Sequence, residues 1–202
     1  MSNLASQYVL RTLTAAALGI FLWRATQQWL TTPTLTLSLV IIGEVVTLAI
    51  YLSARPSRES RVNFTAVIST LAATFFFYFV VLRQGAVLAP LWLTATLQIF
   101  AILWQIASKL SLGRSFGLLP ANRGIVTRGT YRIVRHPIYF GYLLGHASFL
   151  IASFTWYNLW LMCALYFFQV LRIVEEERLL KADPAYRQYM SQTKYRLLPG
   201  II

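Results

Sequence analysis

PIYFGYLLGHASFLIASFTWYNLWLMCALYFFQVLRIV, residues 137–174, decides what kind of protein this is. It contains two apolar runs, Pro137–Phe154 and Tyr157–Val174, separated only by Thr155-Trp156. A helix crossing the hydrocarbon of a bilayer needs about 20 mostly apolar residues. Each run barely reaches that length, and two residues between them leave room only for a reversal. The pair therefore reads as a tight antiparallel helical hairpin.

Upstream, runs of the same kind recur at Tyr8–Leu30, Leu35–Ser53, Val62–Leu82 and Leu88–Lys109. The predicted fold is all-α, a polytopic integral-membrane helical bundle of about six spans with a cytoplasmic ligand pocket. Composition agrees. Charged residues are 12% of the chain and hydrophobic residues 57%, where soluble domains carry about 25% charge.

The net charge of +12 raises the question of nucleic acid, and its placement answers it. With the N-terminus inside, the loop 55–61, the segment 109–136 and the region after 171 fall on one side, and they hold 15 of the 18 Lys and Arg residues. Arg24 and Arg83 fall on the other side. Such asymmetry orients a membrane protein with its basic loops in the cytoplasm, and no soluble basic face is left for nucleic acid. Trp29, Trp92, Trp156 and Trp160 fall at the expected outer ends, where amphipathic rings prefer to sit. The expected location is the bacterial inner membrane, with both termini cytoplasmic. Cys163 is the only cysteine, which excludes an internal disulfide and a thiolate metal site.

The chain divides near residue 110. Residues 1–110 read as a four-helix scaffold. Residues 111–202, a Gly-rich polar loop, the hairpin and a C-terminal segment, read as the catalytic region. Loops as long as 111–136 are usually functional. Within the scaffold, Glu44 stands out at the middle of a span, where an acid costs roughly 2.5–3.5 kcal/mol. It is either neutral or hydrogen-bonded to another helix, through Gln98 or Gln105, or it lines a substrate cavity.

Two clusters carry chemistry. In Arg135-His136-Pro137-Ile138-Tyr139, proline suits the first position of a helix, so Pro137 opens a helix whose N-terminus faces the cytoplasmic loop and attracts anions. A basic end anchored to lipid headgroups is the plainer alternative. In Arg172-Ile173-Val174-Glu175-Glu176-Glu177-Arg178, Arg172 and Glu176 are four apart and share a helix face, while Glu175 and Glu177 point elsewhere. The hairpin brings His136 and Tyr139 near Arg172 and Glu176. His146 sits among apolar residues and reads as a hydrogen-bonded packing residue. With no HExxH, P-loop, nucleophile elbow or dinucleotide fingerprint, and only two histidines, no metal is expected.

The stretch GIVTRGTYRIVRHPIYFGYLL, then EEERLL, then DPAYRQYMSQTKYRLLPG, resembles the isoprenylcysteine carboxyl methyltransferases and the wider group of integral-membrane methyltransferases, including phospholipid N-methyltransferases. The resemblance covers about residues 110–200 and is carried by RHPxY followed by EExxL. It implies S-adenosylmethionine as methyl donor, enclosed by Arg123, Gly124, Ile125, Val126 and Tyr131. His136, Pro137, Ile138 and Tyr139 would line the site further, and Glu176 would hold the donor's polar end. Arg172 matches the position facing the substrate carboxylate, so Arg172 and Glu176 are the expected catalytic pair, and Arg172 with Glu44 would meet the acceptor. The family's loop carries a cofactor-contacting Gln where this chain has Leu119-Pro120-Ala121-Asn122. The expected partner is a lipophilic small molecule or lipid drawn from the bilayer, a carboxylate foremost. A phospholipid N-methyltransferase and an NADPH-dependent membrane reductase of the sterol-reductase type, using Arg114, Arg123 and Arg128, are the competing enzymes. A small transporter or assembly factor is the non-enzymatic alternative.

Overall fold

A computed structural model describes residues 4–31, 33, 35–55, 59–60, 68–70, 72, 76–81, 85–117 and 121–200. Its helices are α1 (Leu4–Thr31), α2 (Leu35–Ser53), α3 (Leu91–Leu112), α4 (Pro137–Ala152), α5 (Trp156–Leu180) and α6 (Pro184–Gln192). Two residue pairs, β1 (Glu59–Ser60) and β2 (Ala121–Asn122), form a short antiparallel ladder with Glu59 opposite Asn122.

Among the described residues three helices are long and apolar enough to cross a membrane: Leu35–Ser53, Leu91–Ser115 and Trp156–Leu180. Helix α4 is apolar but shorter. The first expected span is helical throughout, within α1, but Arg11, Arg24, Gln27 and Gln28 dilute its apolar character. The third, Val62–Leu82, falls largely outside the described residues. The side chains facing outward along α5, such as Trp160, Phe167 and Val170, are exposed hydrophobics, as a lipid-facing stripe requires. Trp92, Trp156 and Trp160 are among the most exposed side chains at the expected outer boundary.

Helices α1 to α4 pack in sequence order, α1 on α2, α2 on α3 and α3 on α4, and the last contact is the most extensive. Small residues account for it. A Cβ on Gly141 would come 2.5 Å from Gln105 Cγ and 3.4 Å from the Ala101 carbonyl oxygen, and Gly145 faces Ala101. Small residues spaced by four let two backbones approach closely inside a bilayer. Ser148 donates to the Thr94 carbonyl (2.7 Å), and Trp104 Nε1 donates to the Pro137 carbonyl (2.9 Å). Gly141 thus admits α3.

The α4–α5 reversal is as short as expected, yet these two helices are not each other's main neighbours. The bulk between them explains it. Tyr139, Tyr142, His146, Tyr166 and Arg172 hold the arms apart, with His146 Nδ1 2.8 Å from Tyr166 Oη. Between α4 and α5 the turn is fixed by a strap. Ala86 pairs with Phe154, Leu88 N–H donates to the Ile151 carbonyl (3.0 Å), and the fully buried Asn158 amide spans the backbone of Val81. Thr155 caps α5 by accepting from Asn158 N–H (3.1 Å).

Candidate functional site: a cleft where three helices diverge

At the opposite end α3, α4 and α5 diverge, and residues 113–117, residues 121–136 and α6 close over the gap. The result is a cleft, open to solvent on one side. Its walls come from four places: Leu112, Ser115 and Phe116 at the end of α3; Arg123 to Val126 and Tyr131 from the loop; His136, Ile138, Tyr139 and Tyr142 of α4; and Arg172, Glu176 and Leu180 of α5. Tyr186 and Tyr189 of α6 complete it.

Inside the cleft Tyr139 Oη donates to Glu176 Oε2 at 3.1 Å, and the Arg172 guanidinium lies 5.5 Å from the centre of the Tyr139 ring. The i, i+4 spacing puts Arg172 and Glu176 on one face of α5, and Tyr139 reaches that face from the first turn of α4. His136 caps α4 and Pro137 is its first residue. The first-turn N–H groups of Ile138 and Tyr139 have no carbonyl four residues back within the helix.

The cluster is braced from behind. Glu177, 2% exposed, receives Arg135 Nε at 2.9 Å on Oε1 and Arg196 Nε at 3.1 Å on Oε2. His136 Nε2 lies 3.3 Å from Oε1, and Lys181 Nζ 3.8 Å from Oε2. Residues 193–196 cross the start of α4. Arg135 N–H donates to the Tyr195 carbonyl, His136 N–H to the Arg196 carbonyl, and Arg135 Nη1 to the carbonyls of Thr193 and Lys194. Asp183 caps α6 and also accepts from Asn122 Nδ2 (2.9 Å), while Asn122 Oδ1 accepts from Gly124 N–H. Asn122 therefore shapes the loop in the neighbourhood where the resemblance would place a cofactor-contacting Gln.

Three phenols form the roof. Tyr131, Tyr186 and Tyr189 are buried together, and Tyr189 Oη donates to the Tyr131 carbonyl (2.6 Å). Burial pushes all three upward; the Glu176 carboxylate raises Tyr131 further, Glu177 and then Glu176 raise Tyr186, and Tyr189 reaches about 12. All three are neutral donors at ordinary pH. Tyr186 Oη is enclosed with no hydrogen-bond partner among the described residues, so the cleft holds a donor that a bound ligand would satisfy.

Of the residues singled out from the sequence, Arg123, Gly124, Ile125, Val126, Tyr131, His136, Ile138, Tyr139, Arg172 and Glu176 all line this cleft. Pro137 does not. It is fully buried beneath it, its carbonyl held by Trp104. Glu44 does not line it either, and of its two suggested partners Gln105 turns instead to the Gly141 carbonyl. Glu177, passed over in the sequence, is the electrostatic centre of the site's frame. Phe116, Tyr142, Tyr186 and Tyr189 were also missed as walls. Of the arginines considered for a nicotinamide phosphate, Arg114 and Arg128 donate to the carbonyls of Ser53 and Ser111.

Residues 84–183 match the family model described as phospholipid methyltransferase. No curated protein matches the chain.

Proposed function

Because the chain belongs, through residues 84–183, to the phospholipid methyltransferase family, we propose that it moves the methyl group of S-adenosylmethionine onto a lipophilic acceptor taken from the bilayer. The observation that carries this reading is the Arg172–Tyr139–Glu176 group inside a cleft that opens at the inner helix ends.

The residues suit that donor. The first-turn N–H groups of α4 and the orphan Tyr186 hydroxyl suit its carboxylate. Glu176 suits its ammonium or ribose hydroxyls, and Tyr131 offers a flat wall for its adenine. Bound there, the sulfonium supplies an already activated methyl group. The protein's own work is to orient, exclude water and manage charge. Holding two reactants in line is worth about 7–11 kcal/mol of the barrier, and Tyr139, Tyr142 and Leu180 keep the reacting face away from bulk water.

A carboxylate acceptor is the favoured case. It is a nucleophile without a base, and Arg172 would hold it by two parallel N–H bonds. An amine acceptor is the second reading, favoured by the family match. Glu176 would then take the proton that the amine must lose, directly or through Tyr139. Residues 1–110 serve as scaffold and 111–202 as the methyl-transferring part, set in the inner membrane of a bacterium with both termini in the cytoplasm.

Detergent-purified protein is offered labelled S-adenosylmethionine or NADPH. Binding of the first and not the second is expected, weakened at least tenfold in Glu176→Ala. Arg172→Ala should keep the donor and lose methyl transfer, read by mass spectrometry of host lipids. NADPH binding without S-adenosylmethionine binding sinks the proposal.

A further inference from the structure

One wall residue of the cleft, Tyr142, has a second neighbour. Lys109 Nζ lies 5.7 Å from the centre of its ring. Lys109 stands in the last turn of α3, close enough to the helix end that a long side chain could reach water. It does not do so, and is only 3% exposed. Cα–Cβ bonds tilt toward a helix's N-terminus, so the chain runs back into the bundle, where Nζ donates to Thr47 Oγ1 at 2.8 Å. Thr47 spends its own proton on the Gly43 carbonyl (2.6 Å). Its hydroxyl can therefore only accept from the lysine.

One turn deeper on α2 is Glu44. Among the described residues no ion pair joins it to Lys109. Glu44 Oε2 is enclosed with no hydrogen-bond partner among the described residues. A buried ammonium thus has donors to spare beside a buried carboxylate oxygen with nothing to accept. Lys109 joins α3 to α2 behind Tyr142 of the cleft wall. An enclosed polar atom without a hydrogen-bond partner is costly and calls for one. A single group that accepts from Lys109 and donates to Glu44 satisfies both at once, and a hydroxyl is such a group.

We propose that Lys109, Glu44 and Thr47 form a hydroxyl-recognising subsite for the lipid acceptor, with Tyr142 separating it from the methyl-transfer group. The inference rests on the reading that the acceptor is a lipid drawn from the bilayer, since Lys109, Glu44 and Thr47 lie behind the cleft's lining rather than in it. It narrows the acceptor to lipids that carry a free hydroxyl apart from the atom that is methylated. Lys109 and Glu44 act here on affinity and selection, not on the transferred methyl.

The test uses the full chain in phosphatidylcholine nanodiscs, with radiolabelled monoolein as the hydroxylated probe and methyl oleate as the probe without hydroxyls. Lys109→Met and Glu44→Leu each leave one buried charge alone and risk misfolding. The double variant Lys109→Met/Glu44→Leu removes both at similar volume and is the decisive one. Expected is selective retention of monoolein by the unaltered protein and a loss of at least tenfold in the double variant, with S-adenosylmethionine affinity within about twofold. Equal retention of the two probes, or monoolein retention unchanged in the double variant, means a trapped water only and overturns the proposal. Failure of the unaltered protein to bind S-adenosylmethionine would sink the donor reading instead, and leaves the monoolein comparison standing on its own.

Discussion

Arg135, His136, Lys181 and Arg196 all turn toward one carboxylate, and two of those partners are themselves buried. Removing one member of a buried charge pair costs about 3–5 kcal/mol, because the other is left uncompensated. Glu177→Ala is expected to destabilise the protein by that amount in denaturant unfolding in detergent. Charge reversal at Arg196, which is half-exposed, should cost far less. Glu176→Gln keeps a hydrogen-bonding partner for Tyr139 and should leave the unfolding midpoint nearly unchanged while donor affinity falls. Comparing the two variants separates frame from site. The distinction could not be read from Glu175-Glu176-Glu177 as letters. The pairing of Glu176 with Arg172 and Tyr139 follows from helix spacing and a short turn, both local. The role of Glu177 depends on Arg135 and on Arg196, which reach it from 42 residues upstream and 19 downstream, and no periodicity connects those positions.

Helix α4 was placed correctly from Pro137 and the apolar run after it, but its closest neighbour was not. Chain order suggests α5. The side chains choose α3, because Gly141, Gly145 and Ser148 offer a flat strip to it while aromatic rings and Arg172 crowd the other side. Widening that strip should undo the contact. Gly141→Ala is expected to cost about 1–3 kcal/mol of stability by overpacking, since its Cβ would sit 3.2 Å from Trp104 Cδ1 and closer still to Gln105. Thermal unfolding in detergent measures it, and Gly19→Ala, which meets nothing within 4 Å, is the control. Helix α6 is held differently, by Tyr186, Tyr189 and the Asp183 cap. A free tyrosine ionises near pH 10, and Tyr189 is shifted up to about 12 by burial. Docking of α6 is therefore at full strength below about pH 10 and weakens as pH rises through 12. Limited proteolysis of the 181–200 region across that interval should show cleavage only at its alkaline end.

For the molecule as a whole, the legible part was the division into apolar runs and basic connections. Six runs were counted, and three helices reach spanning length and apolarity among the described residues. The difference lies in the first run, thinned by polar side chains, in the short α4, and in the stretch 62–82 that is mostly not described. A reporter joined after residue 200 is expected to be active only on the cytoplasmic side, following the 15 Lys and Arg residues gathered there. Activity of a periplasmic reporter at that position would reverse the orientation.

The crossing of residues 193–196 over the start of α4 carries a consequence for biogenesis. Positions 135 and 136 are synthesised, and their helix can insert, well before the strand that will satisfy their N–H groups has been translated. Until then the arginine, the histidine and their shared carboxylate have no common frame. The cleft cannot take its final shape while the nascent protein is still growing through its α5 segment, so a ribosome stalled there yields an inserted product with an unformed site.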